Sequence, residues 1–300
     1  MKSHPKASVV ILTRNRKDQL RETIENSLNQ FYSPLEVVVI DNGSSDGTRK
    51  MCEEQFGDNR IVYRALEENR GVAGGRNVGI KEAEGKILVF IDDDAVFSDA
   101  KAVLRAVNLF EERENLGAIA FKSIDADSKR VVWQEIPLKD RDRDYNKEQA
   151  TSYFVGVGHA IKREVFETVG IYSDRFTYAF EELDLSFRII DAGYSIIYKP
   201  EIEVLHKNSA ESRIPDLNYW KKMLENRIRT SIRNLPWRHV FVGSLIWSGF
   251  VFFKSRGRVG VLVSAYKNLL KDRNILLEER KTVSPETLKK LKDLQGRVYF

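Results

Sequence analysis

The sequence predicts an α/β fold, built on a doubly wound, mostly parallel sheet with helices on both faces. Short apolar segments alternate with segments of helical periodicity at the spacing of parallel crossovers. Two of the apolar segments end in acidic residues, Asp41 after 35–40 and Asp92 after 86–91. Because ligands of open α/β sheets bind at the carboxyl ends of strands, we expect the functional site there.

The elements follow in chain order. Residues 9–12 and 35–40 are rich in β-branched residues and predict the first two strands, with a helix over 17–29 between them. Residues 125–150 are rich in Asp, Lys and Arg without periodicity, which predicts a mobile loop near the site. Further strands are predicted at 61–64, 86–91, 118–123 and 194–199, and further helices at 74–83, 102–112 and 181–188.

Composition narrows the class of protein. Of 300 residues, 42% are hydrophobic and 31% charged, which suits a soluble chain with a sizeable core. Cys52 is the single cysteine, which excludes an intramolecular disulfide and a multi-cysteine zinc site and fits a reducing compartment. The first apolar run covers only 7–12, and no stretch reaches eighteen apolar residues, so we expect neither a signal peptide nor a membrane span.

The net charge of +5 is unevenly distributed. Residues 1–210 carry 30 Lys and Arg against 36 Asp and Glu, whereas residues 211–300 carry 19 against 8. We therefore expect a main domain over 1–210 and a basic, apolar helical tail over 211–300. A basic segment of this kind usually meets an anionic partner, either a membrane surface or nucleic acid.

Three consecutive carboxylates, Asp92, Asp93 and Asp94, follow the apolar run 86–91. Like charges at a strand end repel one another, so a cation would stabilise them. Mg²⁺ and Mn²⁺ prefer oxygen ligands, and Mg²⁺ commonly links carboxylates to substrate phosphates. The alternative is a solvated acidic turn in which Asp94 caps a helix.

A glycine-rich segment, 69–79, leads into a predicted helix. Its small residues would admit a ligand close to the backbone, and Arg76 could donate two hydrogen bonds to a phosphate. The alternative is a glycine turn with a solvated arginine. The dinucleotide fingerprint is missing, because no glycine follows the first strand at 13–16, and a hydride-transfer enzyme is not expected.

A second acidic cluster lies at 177–188, where helical spacing places Glu181, Asp184 and Arg188 on one face. A carboxylate among aromatic residues can have a raised pKa and act as a general base near neutral pH. The alternative is an acidic first turn stabilised by the helix dipole. Farther along, His206 follows a strand and could complete a metal site, although a lone histidine is more often structural.

In combination, these segments resemble family 2 glycosyltransferases, most closely the rhamnosyltransferase-like members that build surface polysaccharides. The resemblance covers about residues 7–235 and rests on ordered motifs at 8–15, 39–48, 69–79, 91–94, 156–163, 169–171, 181–188, 193–194 and 204–206. It implies a GT-A fold, with a nucleotide-sugar half at 1–123 and an acceptor half at 124–210. It also implies an inverting transfer of a sugar from a UDP- or dTDP-linked donor to a hydroxyl of a glycan or lipid-linked acceptor, with Mg²⁺ or Mn²⁺.

The resemblance also assigns roles to residues. Asp92 and Asp94 match the family's metal-binding acids, Asp93 is a substitute for either, and His206 matches a histidine that completes the metal site in some members. Glu182 matches the catalytic base, with Glu181 as the alternative and Asp184 in the same acidic motif. His159 departs from the family pattern, where a small residue is more usual. The implied donor-binding residues are Thr13, Arg14, Asn15, Asp41, Asn69, Gly75, Arg76, Asp92 and Asp93.

The tail contains an apolar and aromatic segment, 237–253, followed by Lys254, Arg256 and Arg258. About 14 apolar residues are short for a span, so we expect helices that lie on an anionic membrane surface, on the cytoplasmic side of the cell membrane. The alternative is a helix packed on the domain or on a partner subunit of a homo-oligomer. We do not expect nucleic-acid binding, because the segment lacks interleaved basic and aromatic residues. A sugar-nucleotide-binding protein without transfer activity is the other alternative.

Overall fold

A computed structural model describes residues 4–55, 57–138, 143–207 and 216–299. Its centre is a mixed sheet with nine strands in these ranges. The strands are β1 Ala7–Thr13, β2 Leu35–Asp41, β3 Ile61–Ala65, β4 Ile87–Asp92, β5 Ala95–Phe97, β6 Leu116–Asp125, β7 Gln149–Thr151, β8 Gly158–Lys162 and β9 Ser195–His206.

The sheet has two regions that differ in strand direction. Strands β3, β2, β1 and β4 lie side by side and are parallel. Beyond β4 the order is β8, β6, β9 and β5; β8 is antiparallel to both neighbours, β9 is parallel to β6, and β5 and β7 are antiparallel to β9. The predicted α/β class is confirmed, and the parallel pairing that it implied is concentrated in the first half of the chain.

Strand β9 is longer than the predicted strand 194–199. It continues through Pro200 to His206, and its register with β6 shifts so that residues 200–202 have no partner there. Proline lacks the N–H that a ladder needs, so an irregularity at this point lets the strand continue. The extension places His206 opposite Ala95 of β5, directly after the acidic triplet.

Helices cover both faces of the sheet, and a further group follows β9. The segment 125–150, predicted as a loop, contains a 3-10 turn at Trp133–Glu135 and ends at β7, and its residues 139–142 lie outside the described ranges. The helices are α1 Lys17–Leu28, α2 Thr48–Gln55, α3 Gly71–Glu82, α4 Ala102–Glu112, α5 Arg163–Val169, α6 Glu181–Asp191, α7 Leu217–Asn234, α8 Trp237–Lys254, α9 Val259–Lys271, α10 Arg273–Glu278 and α11 Pro285–Asp293.

Alternate residues of the buried strands feed two cores on opposite faces of the sheet. Val9 of β1 packs in the core that includes residues of α1, α2 and α4. Val10 packs in the core that includes residues of α3, α5 and α6, and Ile228 of α7 and Trp247 of α8 belong to the same core. The tail helices are therefore packed against the sheet domain on the α6 side.

The expected boundary between domain and tail, at 210/211, lies outside the described residues. None of the helices in the described ranges combines the length and apolar content that crossing a bilayer would require.

Candidate active site

Two adjoining cavities lie at the carboxyl ends of β1 and β4. The larger, about 550 Å³, is lined by Thr13, Arg14 and the acidic triplet. The smaller, about 330 Å³, is lined by Glu181, Glu182 and residues 153–157. We call them the donor cavity and the acceptor cavity, after the roles that the family resemblance predicts for their residues. Six residues line both: Val72, Arg76, Asp92, Glu135, Tyr178 and His206.

The three acids of the triplet lie in different surroundings, because strand β4 ends at Asp92. The side chain of Asp93 is buried and accepts hydrogen bonds from Thr13 Oγ1 at 2.7 Å and Arg16 Nη1 at 2.9 Å. Burial raises the pKa of Asp93 to about 6, although Arg16 and Thr13 oppose the rise. Arg16, which no local sequence motif predicted, also donates to Asp94 at 2.7 Å and so contacts two members of the triplet.

Asp92, Asp94 and His206 each offer one ligand atom within 4.8 Å of the others. His206 Nε2 lies 3.2 Å from Asp94 Oδ1, and its Nδ1 lies 3.0 Å from both carboxylate oxygens of Glu135. Burial opposes the charge on His206, but Asp94 and Glu135 outweigh it and raise its pKa to about 10. A carboxylate on Nδ1 is the usual partner that turns the other ring nitrogen toward a metal. Once a cation has replaced the Nε2 proton of His206, this oxygen and nitrogen donor set fits Mg²⁺ or Mn²⁺.

Arg76 of α3 forms the wall between the cavities. Its guanidinium donates to Glu182 Oε1 at 2.8 Å, to Asp92 Oδ1 at 3.3 Å and to the carbonyl of Gly156 at 3.2 Å. The side chain is only 6% exposed. Burial disfavours its charge, yet the surrounding acids outweigh this and raise the pKa of Arg76 above its usual value. Arg76 is thus a fixed, permanently charged hydrogen-bond donor between the two cavities.

Glu181 and Glu182 begin α6 and face Arg76. Glu181 Oε1 lies 3.6 Å from the guanidinium, and its buried Oε2 has no hydrogen-bond partner among the described residues. Burial and the neighbouring Glu182 raise the pKa of Glu181 well above its usual value. Glu182 is the more exposed of the two and is the one in direct contact with Arg76. Glu182 is therefore the more accessible of the two carboxylates from the cavity.

Asp184 does not line either cavity. It is buried between α6 and α7, where Arg233 Nε at 2.8 Å, Asn234 Nδ2 at 2.7 Å and Arg188 Nη2 at 3.1 Å surround it. Burial opposes its ionisation, but Arg188 and Arg233 hold its pKa below the usual value. The structure therefore gives no support to a catalytic role and places Asp184 in the contact between sheet domain and tail.

The predicted donor-binding residues divide similarly. Thr13, Arg14 and Asn69 line the donor cavity, and Asn42, which was not predicted, lines it beside Asn69. Arg76, Asp92 and Asp93 line it as well, and the remaining three predicted residues, Asn15, Asp41 and Gly75, do not. Asp41 is buried and accepts hydrogen bonds from Tyr63 Oη at 2.9 Å and from the Ser44 N–H at 2.8 Å. Asn15 forms hydrogen bonds with the turn at Ser44 and Ser45. Gly75 packs closely on Leu12, with which any side chain at this position would collide.

His159 is buried behind the acceptor cavity and does not line it. Its ring stacks on Phe154 and Phe90, with Nδ1 3.1 Å from the Val155 carbonyl and Nε2 3.1 Å from Tyr172 Oη. Because a carbonyl can only accept, Nδ1 carries the proton and Nε2 accepts from Tyr172. Burial keeps the pKa of His159 well below its usual value, so the ring is neutral and supports the loop 153–157.

Comparison with known proteins agrees with this geometry. Residues 8–170, more than half of the chain, match the family model described as "Glycosyl transferase family 2". The chain belongs to this family.

Two curated relatives of this family 2 member bear glycosyltransferase names. "Uncharacterized glycosyltransferase YfnE" of Bacillus subtilis is 26% identical over 255 residues, covering 67% of this chain and 64% of YfnE. "O-antigen chain rhamnosyltransferase WbaN" of Salmonella anatum is 27% identical, covering 75% of this chain and 71% of WbaN. The chain thus spans slightly less than two thirds of YfnE and somewhat more of WbaN.

A solved structure supports the fold of the family 2 chain. The mannosyltransferase PcManGT of Pyrobaculum calidifontis, solved with GDP-Man and Mn²⁺, superposes with a TM-score of 0.63 at 19% identity, covering 99% of this chain and 86% of that one. The expected GT-A fold and the family resemblance are confirmed.

The tail of this family 2 member also reaches the site, although no sequence motif predicted this contact. Lys222 of α7 lines the donor cavity, and Met223 of α7 and Arg297 line the acceptor cavity. Such residues carry no local motif, because they reach the site only through the packing of α7 and α11 on the sheet domain.

Proposed function

We propose that the protein is an inverting glycosyltransferase that moves a sugar from a UDP- or dTDP-linked donor to a hydroxyl of a glycan or lipid-linked acceptor. The observation that carries the proposal is the position of Arg76, which contacts Asp92 and Glu182 on the wall shared by the two cavities. The rhamnosyltransferase name of WbaN supports a role in surface polysaccharide or glycolipid synthesis.

Asp92, Asp94 and His206 would hold Mg²⁺ or Mn²⁺, with Glu135 orienting the imidazole. When bound, the cation supplies positive charge that stabilises the departing nucleoside diphosphate. The protein's own contribution at this point is Arg76, whose buried guanidinium is already oriented by three acceptors and costs little reorganisation during the reaction.

In the acceptor cavity, Glu182 would take the proton from the acceptor hydroxyl as that oxygen attacks the anomeric carbon. Attack comes from the face opposite the diphosphate, which inverts the configuration. Burial and the neighbouring Glu182 raise the pKa of Glu181 and favour its protonated form, and Glu182 is the carboxylate that accepts the hydrogen bond from Arg76. Binding of donor and acceptor in adjoining cavities would bring their reacting atoms together and replace a chance encounter in solution.

A donor screen tests the proposal. The full chain is incubated with UDP-, dTDP- and GDP-linked sugars and Mg²⁺ or Mn²⁺, and release of the nucleoside diphosphate is measured with and without mixed lipid-linked or glycan acceptors. We expect cation-dependent release with one base, and about a hundredfold loss or more in Glu182→Gln. Glu278→Gln, at an exposed position outside both cavities, is the matched control. Turnover by Glu182→Gln within a few-fold of the unmodified protein would exclude Glu182 as the base.

We further propose that α8 and α9 bind an anionic membrane surface on the cytoplasmic side. Phe241 and Phe253 of α8 are 68% and 81% exposed, and Lys254, Arg256 and Arg258 follow at the end of the helix. Exposed aromatic residues beside basic residues are typical of interfacial helices, and each basic residue adds about 1 kcal/mol on anionic lipid.

Co-sedimentation with vesicles tests this surface. We expect binding to vesicles that contain phosphatidylglycerol, weaker binding at high salt, and loss of binding in the double variant Phe241→Ser and Phe253→Ser. Equal binding of this double variant would contradict the membrane proposal. A concentration-dependent dimer that the double variant disrupts, without lipid binding, would show that the surface packs on a second copy instead.

A further inference from the structure

The acceptor cavity contains a cation from the tail that the transfer mechanism does not use. Arg297 follows α11 and lines the same cavity as Glu182 and Tyr153. We propose that Arg297 binds an anionic group, a phosphate or a carboxylate, carried by the acceptor beside the hydroxyl that receives the sugar. This inference rests on the proposed transfer function and defines the chemical class of its acceptor.

The backbone at this position is fixed. The carbonyl of Arg297 accepts a hydrogen bond of 2.8 Å from the buried side chain of Arg227 in α7. The preceding residue, Gly296, donates to the Leu291 carbonyl at 2.6 Å, and a side chain there would come within 2.7 Å of that oxygen. The guanidinium carbon of Arg297 lies 4.7 Å from the centre of the Tyr153 ring. Arg297 is therefore held against one wall of the cavity.

Arg297 differs from the other cations of the cavity in having no acid beside it. Arg76 is paired with Glu182, and His206 lies between Asp94 and Glu135. In the described part of the chain, no carboxylate lies within 4.0 Å of Arg297. A guanidinium with no acid beside it matches a phosphate or carboxylate, which it can bind through two parallel hydrogen bonds.

The surroundings reinforce the positive charge. Arg227 is buried, donates to Ser231 Oγ at 2.6 Å, and likewise has no carboxylate within 4.0 Å in the described ranges. Burial, and then the charge of Arg297, lowers the pKa of Arg227 to about 9. The cavity is therefore acidic at Glu182 and basic at Arg297. An acceptor with a neutral hydroxyl at one end and an anion at the other would fit this polarity.

A binding experiment tests the inference apart from catalysis. The protein is saturated with Mn²⁺ and the nucleoside diphosphate selected by the donor screen, so that the phosphate sites of the donor cavity are filled. Glucose 1-phosphate, glucuronate and glucose are then titrated by calorimetry into the unmodified protein, Arg297→Ala, Arg297→Lys and the control Lys292→Ala. Lys292 is an exposed cation on α11, outside the cavity.

We expect at least one anionic sugar to bind more tightly than glucose. Its affinity should fall about tenfold to a hundredfold in Arg297→Ala, partly recover in Arg297→Lys and stay unchanged in Lys292→Ala. Binding of glucose 1-phosphate alone would indicate a phosphorylated acceptor, and binding of glucuronate alone an acidic sugar. If Arg297→Ala unfolds, Arg297→Gln, which keeps the aliphatic stem over Tyr153, replaces it.

Two results would overturn the inference: anion affinity in the Arg297 variants within twofold of the unmodified protein, or glucose binding as tightly as both anions. Nucleoside diphosphate affinity distinguishes the two proposals. If it is intact and anion binding is absent, only the role of Arg297 fails. If the unmodified protein binds no nucleoside diphosphate, the transferase proposal fails, and the acceptor assignment fails with it.

Discussion

Arg76 and Glu182 are 106 positions apart in the chain, and their side chains meet at 2.8 Å on the wall between the donor and acceptor cavities. Arg76 comes from the helix after the glycine-rich segment, and Glu182 from the first turn of α6. The pair joins the group that would face the departing diphosphate to the group that would accept the proton. Its geometry is therefore the most direct target for mutation.

The first prediction concerns the shape of the cationic group at position 76. In Arg76→Lys the charge is kept, but an ammonium cannot reach Glu182, Asp92 and the Gly156 carbonyl from one fixed plane. We expect turnover to fall about a hundredfold, measured as nucleoside diphosphate release. Arg64→Lys, at an exposed site, is the control and should be unaffected. Turnover in Arg76→Lys equal to that of the control would show that charge alone suffices.

The second prediction concerns Gly156. A side-chain carbon there would lie 2.5 Å from Glu182 Oε1 and 2.7 Å from Arg76 Nη2, so both must move in Gly156→Ala. Displacement of reacting groups by about 1 Å can cost about a hundredfold in rate, and we expect a loss of at least tenfold in turnover. In Gly249→Ala, where the added carbon meets open space, turnover should be unchanged. Normal turnover of Gly156→Ala would place Glu182 outside the reaction.

The third prediction separates two neighbouring acids by their response to metal. Asp94 belongs to the candidate metal site, whereas Asp93 is buried against Thr13 and Arg16. Mn²⁺ at a hundred times its dissociation constant should stabilise the unmodified protein by about 2.7 kcal/mol. Asp94→Asn should lose this stabilisation.

Asp93→Asn should instead lower the stability without metal and keep the response to Mn²⁺. Thermal unfolding with Mn²⁺ and with EDTA measures both effects. A full response to Mn²⁺ in Asp94→Asn would remove Asp94 from the metal site.

The fourth prediction concerns the contact of α6 with the tail. Asp184→Asn leaves Arg188 without its acid and Arg233 with Glu279 alone, and should cost about 3 kcal/mol in the free energy of unfolding at pH 7. The folded state holds the pKa of Asp184 below its usual value, so its contribution is complete above the unfolded pKa of about 4 and is lost as the pH falls through the lower, folded pKa.

The difference in stability between Asp184→Asn and the unmodified protein should therefore shrink below about pH 4. Urea unfolding at several pH values measures it, with the exposed Asp293→Asn as control. A difference that stays constant down to pH 2 would contradict the ionised state of Asp184.

The sequence predicted those parts of the fold and site that local patterns encode. Acids at the end of an apolar run identified Asp92 and Asp94, and the family resemblance pointed to Glu182, with Glu181 as the alternative. Strand β8 escaped prediction because its five residues include a buried histidine whose polar atoms are satisfied by Val155 and Tyr172. Asp184 was grouped with the acidic motif because periodicity gives the face of a helix but not which neighbour covers it.

Other site residues carried no local signal. Glu135 lies in a charged segment without periodicity, and it reaches His206 only because β9 continues past Pro200. Arg16 follows the first strand by three residues, and its role depends on β4 lying beside β1. These residues meet through strand order and register, which depend on the whole sheet. The roles of the site residues, and the extent of the two domains, stay predictions.

The two cavities draw on different stretches of the gene. Most residues that line the donor cavity precede position 95, whereas the acceptor cavity is built mainly from positions after 133, with only six side chains in common. On the proposed function, sugar preference and acceptor preference would be able to diverge by separate mutations, so long as Arg76, Asp92 and His206 are retained. A scaffold divided in this way is suited to exchange of either specificity by recombination between relatives.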